Sequence, residues 1–259
     1  MESPLLLPLL VALPAFCLIW PISVWQRDAS LVDIAWGPGF AVQVLLAAWI
    51  AAPAGARAQL ILVLICVWSG RLGFVLIRRR VREGHEDGRY ADIRKSWGIG
   101  FWWKSLFIVF ALQAVLQWMI ALGPIAGVLA EDQSPQSLAV VGAIIAIAGL
   151  LLETLADFEL DRFKATSRPG ALLVTGLRAW VRHPNYVGEI VFWTGVALIC
   201  VEGGAWLGLV APVLIMFFLL KVSGTPLLDE RLAATRPEYA EYKRKVPALV
   251  PRLGSRVTV

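Results

Sequence analysis

The sequence predicts an all-α fold, a polytopic membrane bundle of seven transmembrane helices, and three observations carry that reading. Hydrophobic residues fill 58% of the 259 positions and charged ones only 17%, more apolar surface than one soluble core of this length can hide. Seven runs are nearly free of charge and long enough to cross about 30 Å of hydrocarbon at about 1.5 Å per residue. Basic residues gather in alternate connections, the asymmetry that marks cytosolic loops.

The runs fall at about 3–25, 34–55, 58–77, 105–124, 137–156, 186–201 and 204–220. The first holds Pro4, Pro8, Pro14 and Pro21 and lacks the short apolar core and small-residue cleavage site of a signal peptide, so it reads as a retained, proline-kinked helix. Eight basic residues lie between Arg78 and Lys104, five between Arg162 and Arg182, and eight from Lys221 onward. The 123–136 and 202–205 connections carry only Glu131, Asp132 and Glu202. With the basic loops in the cytosol, the N terminus lies outside and the C terminus inside. The chain then reads as a single transmembrane domain over 1–259, with cytosolic loops at about 78–104 and 158–185 and a cytosolic tail at 221–259. The net charge of +5 follows from that topology and implies no nucleic-acid partner. Expected partners are membrane lipids and a hydrophobic small molecule, with the protein monomeric. Several of the twelve tryptophans (Trp25, Trp97, Trp102, Trp103 and Trp206) stand where apolar runs meet charged ones, as an interfacial belt requires.

Charges that break the loop rule are the informative ones. Only twelve residues separate Glu189 from Glu202, about 18 Å of helix, so a carboxylate lies within the membrane profile, and Glu189 is the candidate because Glu202 opens a Gly-Gly turn. Arg71 precedes Arg78, Arg79 and Arg80 by two helical turns. Glu153, Asp157 and Asp161 recur at i, i+4 and i+8, one acidic stripe with Lys164 three positions on. Asp33 opens the second span. Ionisable groups at membrane depth face a partner charge or a wet cavity. Mutual pairing, Arg71 with one of these acids, is the plainer reading; the number of such groups on one side points to a polar cavity open to the cytosol.

Around it lie Arg78, Arg79, Arg80, Arg82, Arg89, Lys164, Arg168, Arg178, Arg182 and Arg231. Guanidinium forks of this kind suit a phosphate ester. Residues 82–97, R-E-G-H-E-D-G-R-Y-A-D-I-R-K-S-W, read as a structured lid or ligand-binding loop. In R-H-P-N-Y-V-G-E, Pro184 can start the sixth helix, and Asn185, the only asparagine, stands i, i+4 from Glu189 on one face. Other chemistries are set aside. No G-x-G-x-x-G follows a strand, and no P-loop occurs. His85 and His183 are too few for a metal cluster, and Cys17, Cys66 and Cys200 sit in apolar runs without C-x-x-C spacing, so no metal and no disulfide are expected.

At this point the motifs V-D-I-A-W-G-P-G-F, E-D-G-R-Y with Arg94 and Trp97, the Glu153/Asp157 stripe, R-H-P-N-Y-V-G-E-I and P-E-Y-A-E-Y-K-R-K-V-P-A-L-V-P together resemble a bacterial member of the steroid 5-alpha-reductase-like membrane proteins, over nearly the whole chain. R-H-P-N-Y-x-G alone also resembles isoprenylcysteine and phospholipid methyltransferases; the E-D-G-R-Y loop and the paired Asn185 and Glu189 favour the reductase. The resemblance implies an oxidoreductase of lipid metabolism in a bacterial inner membrane. It would transfer a hydride from NADPH to the β carbon of a conjugated enone such as a 3-oxo-4-ene steroid. Matched residue by residue, it places cofactor contacts at Arg71, Asp157, Lys164, Asn185, Glu189, Trp193 and Arg231, with Arg168 the alternative to Lys164 as a phosphate contact; Arg82, Arg89, Tyr90 and Arg182 complete the expected set.

The sequence departs from that family at the acceptor. A glutamate on the second helix and a tyrosine on the third hold the ketone in the steroid reductases, where this chain has Trp36 and Trp68, and its four tyrosines lie outside both helices. Asp33, if protonated in apolar surroundings, or the Trp36 indole N–H is then the expected catalytic donor. An S-adenosylmethionine-dependent lipid or isoprenylcysteine methyltransferase and a non-catalytic lipid-binding protein are the alternative functions.

Overall fold

The computed structural model describes residues 4–52, 55–130, 134–168 and 170–251. Among these there is no strand, and seven helical segments are long and apolar enough to cross a membrane. They are α1 (Leu7–Gln26), α2 (Val32–Ala51), α3 (Ala56–Glu83), α5 (Phe101–Leu129), α6 (Ser137–Thr166), α7 (Pro184–Glu202) and a seventh segment, Trp206–Thr235. The last is divided into α8 (Val210–Phe217), a wider turn at Phe218–Val222 and α9 (Thr225–Thr235). Among the described residues two further α-helices lie outside the spans, α4 (Gly88–Trp97) and α10 (Tyr239–Lys245). Side chains such as Leu18 at 72% exposure, Trp49 at 79% and Phe74 at 64% project outward from the spans, and apolar surface on that scale needs lipid against it.

Two spans outrun the expected limits. α3 continues past position 77 to Glu83, because arginine stems extend the helix while their heads reach water, and Arg79 pairs with Glu83 one turn on at 3.2 Å. α6 continues to Thr166, its acidic stripe carrying the helix beyond the hydrocarbon. Glu202, expected to open a turn, ends α7, and its carboxylate accepts the backbone N–H groups of Gln136 and Ala139 at 2.9 and 2.8 Å, which satisfies donors left bare at the start of α6. Glu131, Asp132, Arg252 and Arg256, counted above for topology, lie outside the described residues.

The chain divides into two compact units. The first comprises residues 1–140 and 196–211. Here α2 and α3 approach at Gly37 and Gly73: a β carbon on Gly37 would stand 2.6 Å from the Gly73 nitrogen. Only glycine permits that contact, the small-residue packing usual between membrane helices. Gln43 and Gln117 join α2 to α5 through a buried 2.9 Å amide hydrogen bond. A core of Phe16, Val32, Tyr90, Phe101 and Phe110 fills the space below the head of α2.

The second unit comprises residues 141–195 and 212–259. Within it α6 and α7 cross on small residues, with Gly149 against the Phe192 backbone and Gly188 against Glu153. The segment after α9 folds back as α10 and docks on the start of α7. The Arg182 and His183 N–H groups donate to the Pro247 and Ala248 carbonyls at 2.9 and 3.1 Å, and the Tyr242 hydroxyl donates to the Arg178 carbonyl at 2.7 Å.

Candidate functional site

In the first unit the polar groups converge on the head of α2. A corner of backbone prepares it: Asp28 caps the short turn Ala29–Leu31 by accepting the Ser30 N–H at 3.0 Å, and it pairs with Arg80. Glu86 reaches back to accept the Ala29 N–H at 2.8 Å. Asp33 follows in the first turn of α2, where the helix dipole favours a negative charge.

Both Asp33 oxygens are occupied. Oδ1 accepts the Tyr90 hydroxyl at 2.6 Å and Oδ2 the Arg89 guanidinium at 2.8 Å. Tyr90 and Arg89 open α4, whose cap is Asp87: its carboxylate accepts the Arg89 N–H at 2.9 Å and pairs with Arg79 at 2.8 Å. The Gln113 amide on α5 donates to the Tyr90 hydroxyl at 2.8 Å. Burial, and then the charge of Asp33, push the Tyr90 phenol well above its usual range, so it stays protonated. Burial opposes the charge on Arg89, but Asp33, Tyr90 and Asp87 outweigh it and raise its pKa. Burial would likewise raise Asp87, yet Arg89 and Arg79 hold it below the usual carboxylate range. A cavity of about 20 Å³, room for a water molecule, lies beside Asp33, Arg79 and Asp87.

Trp36 stands one turn beyond Asp33. Its ring meets Phe40 edge-on at 5.7 Å, and Phe40 meets Trp68 in the same way at 5.3 Å. Its carbonyl accepts the Gln117 amide at 2.6 Å, close to Pro38, which cannot donate to the helix ladder. The indole N–H of this half-buried side chain makes no hydrogen bond with any described residue. Of the two expected acceptor-side groups, Asp33 is therefore an acceptor filled by an arginine and a phenol, and Trp36 is a donor left open.

The other expected contacts are distributed as follows. Arg89 and Tyr90, expected at the cofactor, face Asp33. Arg71 lies half-buried on α3, and Arg82 is exposed near its end. In the second unit Asp157 is half-buried on α6, Lys164 and Arg168 are exposed at and beyond that helix's end, and Arg231 is half-buried on α9. Asn185, Glu189 and Trp193 follow one another along one face of α7, Trp193 fully buried and the other two half-buried. The Asn185 amide makes no hydrogen bond with any described residue.

Arg182 belongs to a different assembly. Its Nη1 donates to the Val246 carbonyl at 2.7 Å and its Nη2 to Asp229 at 2.8 Å. Asp229 also accepts the Tyr239 hydroxyl, pairs with Lys243 at 3.2 Å and lies 3.2 Å from His183 Nε2. Burial drives His183 down to about 4, against the opposing pull of Asp229. Both members of the R-H pair thus tie the C-terminal segment to the start of α7.

Gln43, Gln113 and Gln117 are uncharged and so do not stand out among the misplaced charges of the sequence. Their presence in long apolar runs, with Gln113 and Gln117 at i, i+4, was the available signal.

Comparison with known proteins identifies a family. Residues 19–246 match the family described as a protein of unknown function, DUF1295. The chain belongs to that family. It is 25% identical over 288 residues to an uncharacterized protein of the fission yeast Schizosaccharomyces pombe, covering 97% of this chain and 80% of that one. No solved structure matches significantly. The relative is eukaryotic, so the comparison gives no support to a bacterial origin.

Proposed function

We propose that this DUF1295 protein is an NADPH-dependent membrane reductase of the steroid 5-alpha-reductase type, acting on the conjugated double bond of an apolar enone. The observation that carries this reading is the indole N–H of Trp36, which has no partner among the described residues, on a helix turn that the neighbouring hydrogen bonds immobilise. Reduction of an enone at its β carbon leaves negative charge on the carbonyl oxygen, and a fixed neutral donor aimed at that oxygen stabilises it. Asp33, filled by Arg89 and Tyr90, and Gln117, bound to the Trp36 carbonyl, serve as positioning residues.

The residues present fit the nucleotide. A half-buried asparagine amide with no partner among the described residues suits a carboxamide such as that of nicotinamide, and the exposed Lys164 and Arg168 suit phosphate. Asn185, Glu189, Trp193, Asp157, Lys164, Arg168 and Arg231 would hold it. NADPH, when bound, supplies the hydride. This chain's task is to orient both reactants, exclude water through apolar walls and hydrogen-bond the acceptor oxygen.

Thermal unfolding of the detergent-purified protein tests the assignment. Stabilisation by NADPH and none by S-adenosylmethionine is expected; the reverse result would move the protein to the lipid methyltransferases.

A further inference from the structure

A second cavity, of about 330 Å³, lies in the first unit where the end of α1 meets the start of α5. Ser23, Arg27, Arg94, Phe101, Trp102 and Ser105 are among its walls. Arg27 ends α1 in the left-handed conformation, φ 52°, a state that costs a residue with a β carbon roughly 1 kcal/mol and that glycine adopts freely. Its exposed guanidinium makes no hydrogen bond or ion pair with any described residue. That conformation closes the C-terminal end of α1, its N–H bonded back to the Val24 carbonyl at 3.2 Å, and it sets an exposed cation on the cavity wall.

Arg94 stands on the same cavity. Its Nε and Nη2 donate to Glu86 at 3.1 and 2.7 Å, and its guanidinium carbon lies 4.6 Å from the centroid of the Phe101 ring. Nη1 has no acceptor among the described residues. Among the described residues the cavity is thus lined by two arginines and by no carboxylate, while Glu86, which holds Arg94, also accepts the Ala29 N–H.

The surroundings decide the source of the anion. The cavity stands at the ends of two membrane spans. Trp102, one of its walls, is 59% exposed, and the neighbouring Ile99 projects completely. Lys104 lies 5.5 Å over the Trp97 ring and 5.9 Å over the Trp103 ring. Projecting indoles beside lysine are the furniture of the headgroup layer. A freely dissolved phosphate would need neither.

We propose that this cavity holds the phosphate of an anionic phospholipid headgroup, bound by the Arg27 and Arg94 N–H groups, with the glycerol beside Trp102 and the acyl chains left in the bilayer. The volume is in the range that accommodates a small polar ligand. The site is separate from Asp33 and Trp36 and stands whether or not the protein is a reductase.

Binding to delipidated protein, followed by native mass spectrometry, tests it with phosphatidylglycerol, phosphatidylcholine and inorganic phosphate as probes. Phosphatidylglycerol is expected to bind about tenfold more tightly than phosphatidylcholine, and Arg27→Gly to abolish most of that preference. Because glycine suits the left-handed position, the variant's thermal stability should hold or rise, which separates lost binding from misfolding. Lys95→Gln, an exposed basic residue outside the cavity, should leave the preference intact. Equal affinity for the two lipids, an unchanged preference in Arg27→Gly, or inorganic phosphate binding as tightly as phosphatidylglycerol would each overturn the proposal.

Discussion

The Tyr90 hydroxyl donates a 2.6 Å hydrogen bond to Asp33 across 57 positions of chain, fastening α4 to the head of α2. Arg89 holds the other carboxyl oxygen, so Asp33 and Tyr90 work as one unit. Removing one partner leaves the other buried and short of a bond. Asp33→Asn and Tyr90→Phe should each lower stability by about 1–3 kcal/mol, and the double variant should lose clearly less than the sum. Unfolding of all three variants in one detergent measures this; strict additivity would mean that the two side chains do not act together.

Gln117 makes three hydrogen bonds at once, to Gln43 and to the Ala35 and Trp36 carbonyls. Gln117→Leu keeps the bulk and removes all three. Stability should fall by about 1–2 kcal/mol, on the scale of interhelical hydrogen bonds in membranes. Turnover should fall further than substrate affinity, because the loosened element carries Trp36. A variant with native kcat would show that Gln117 only fills space.

His183 gives a pH dependence with a definite sign. Its folded pKa of about 4 lies below its ordinary value of 6.5, so below pH 6.5 the unfolded chain binds a proton that the folded chain refuses. Stability from this residue is complete above pH 6.5 and falls as pH drops toward 4, by about 3 kcal/mol in all. Asp229, Arg182 and Arg178 are the charges that act on it. His183→Gln should flatten the stability profile over that interval, and an unchanged slope would remove His183 as its origin.

The seven spans were legible because lipid imposes one requirement, a long uncharged run, that composition alone reveals. Their ends were less so: arginine stems carry α3 six residues beyond position 77, and an acidic stripe carries α6 ten beyond 156. Asp33 stood out in the sequence as a carboxylate at the mouth of a span. Its partners did not, since nothing local signals that the start of an apparent lid, Arg89 and Tyr90, folds down 56 and 57 positions away in the chain. Arg182 misled in the opposite sense. A basic residue beside a helix N terminus suggests an anion, but here the anion is Asp229 of the same chain. Gln113 and Gln117 illustrate a third case, in which polar groups without charge organise the membrane interior inside a span that stays apolar as a whole.

Deuterium transfer from labelled NADPH to an apolar enone tests the central claim most directly, using detergent-purified native protein beside Trp36→Phe and Asp33→Asn. Native protein should place deuterium on the β carbon of the product. Trp36→Phe should slow that transfer by about 100- to 1000-fold with the label still at the same carbon, the scale for one lost donor to a developing oxyanion. Asp33→Asn should lose less than Trp36→Phe. Product free of deuterium across a panel of enones, or full transfer by Trp36→Phe, would contradict the account.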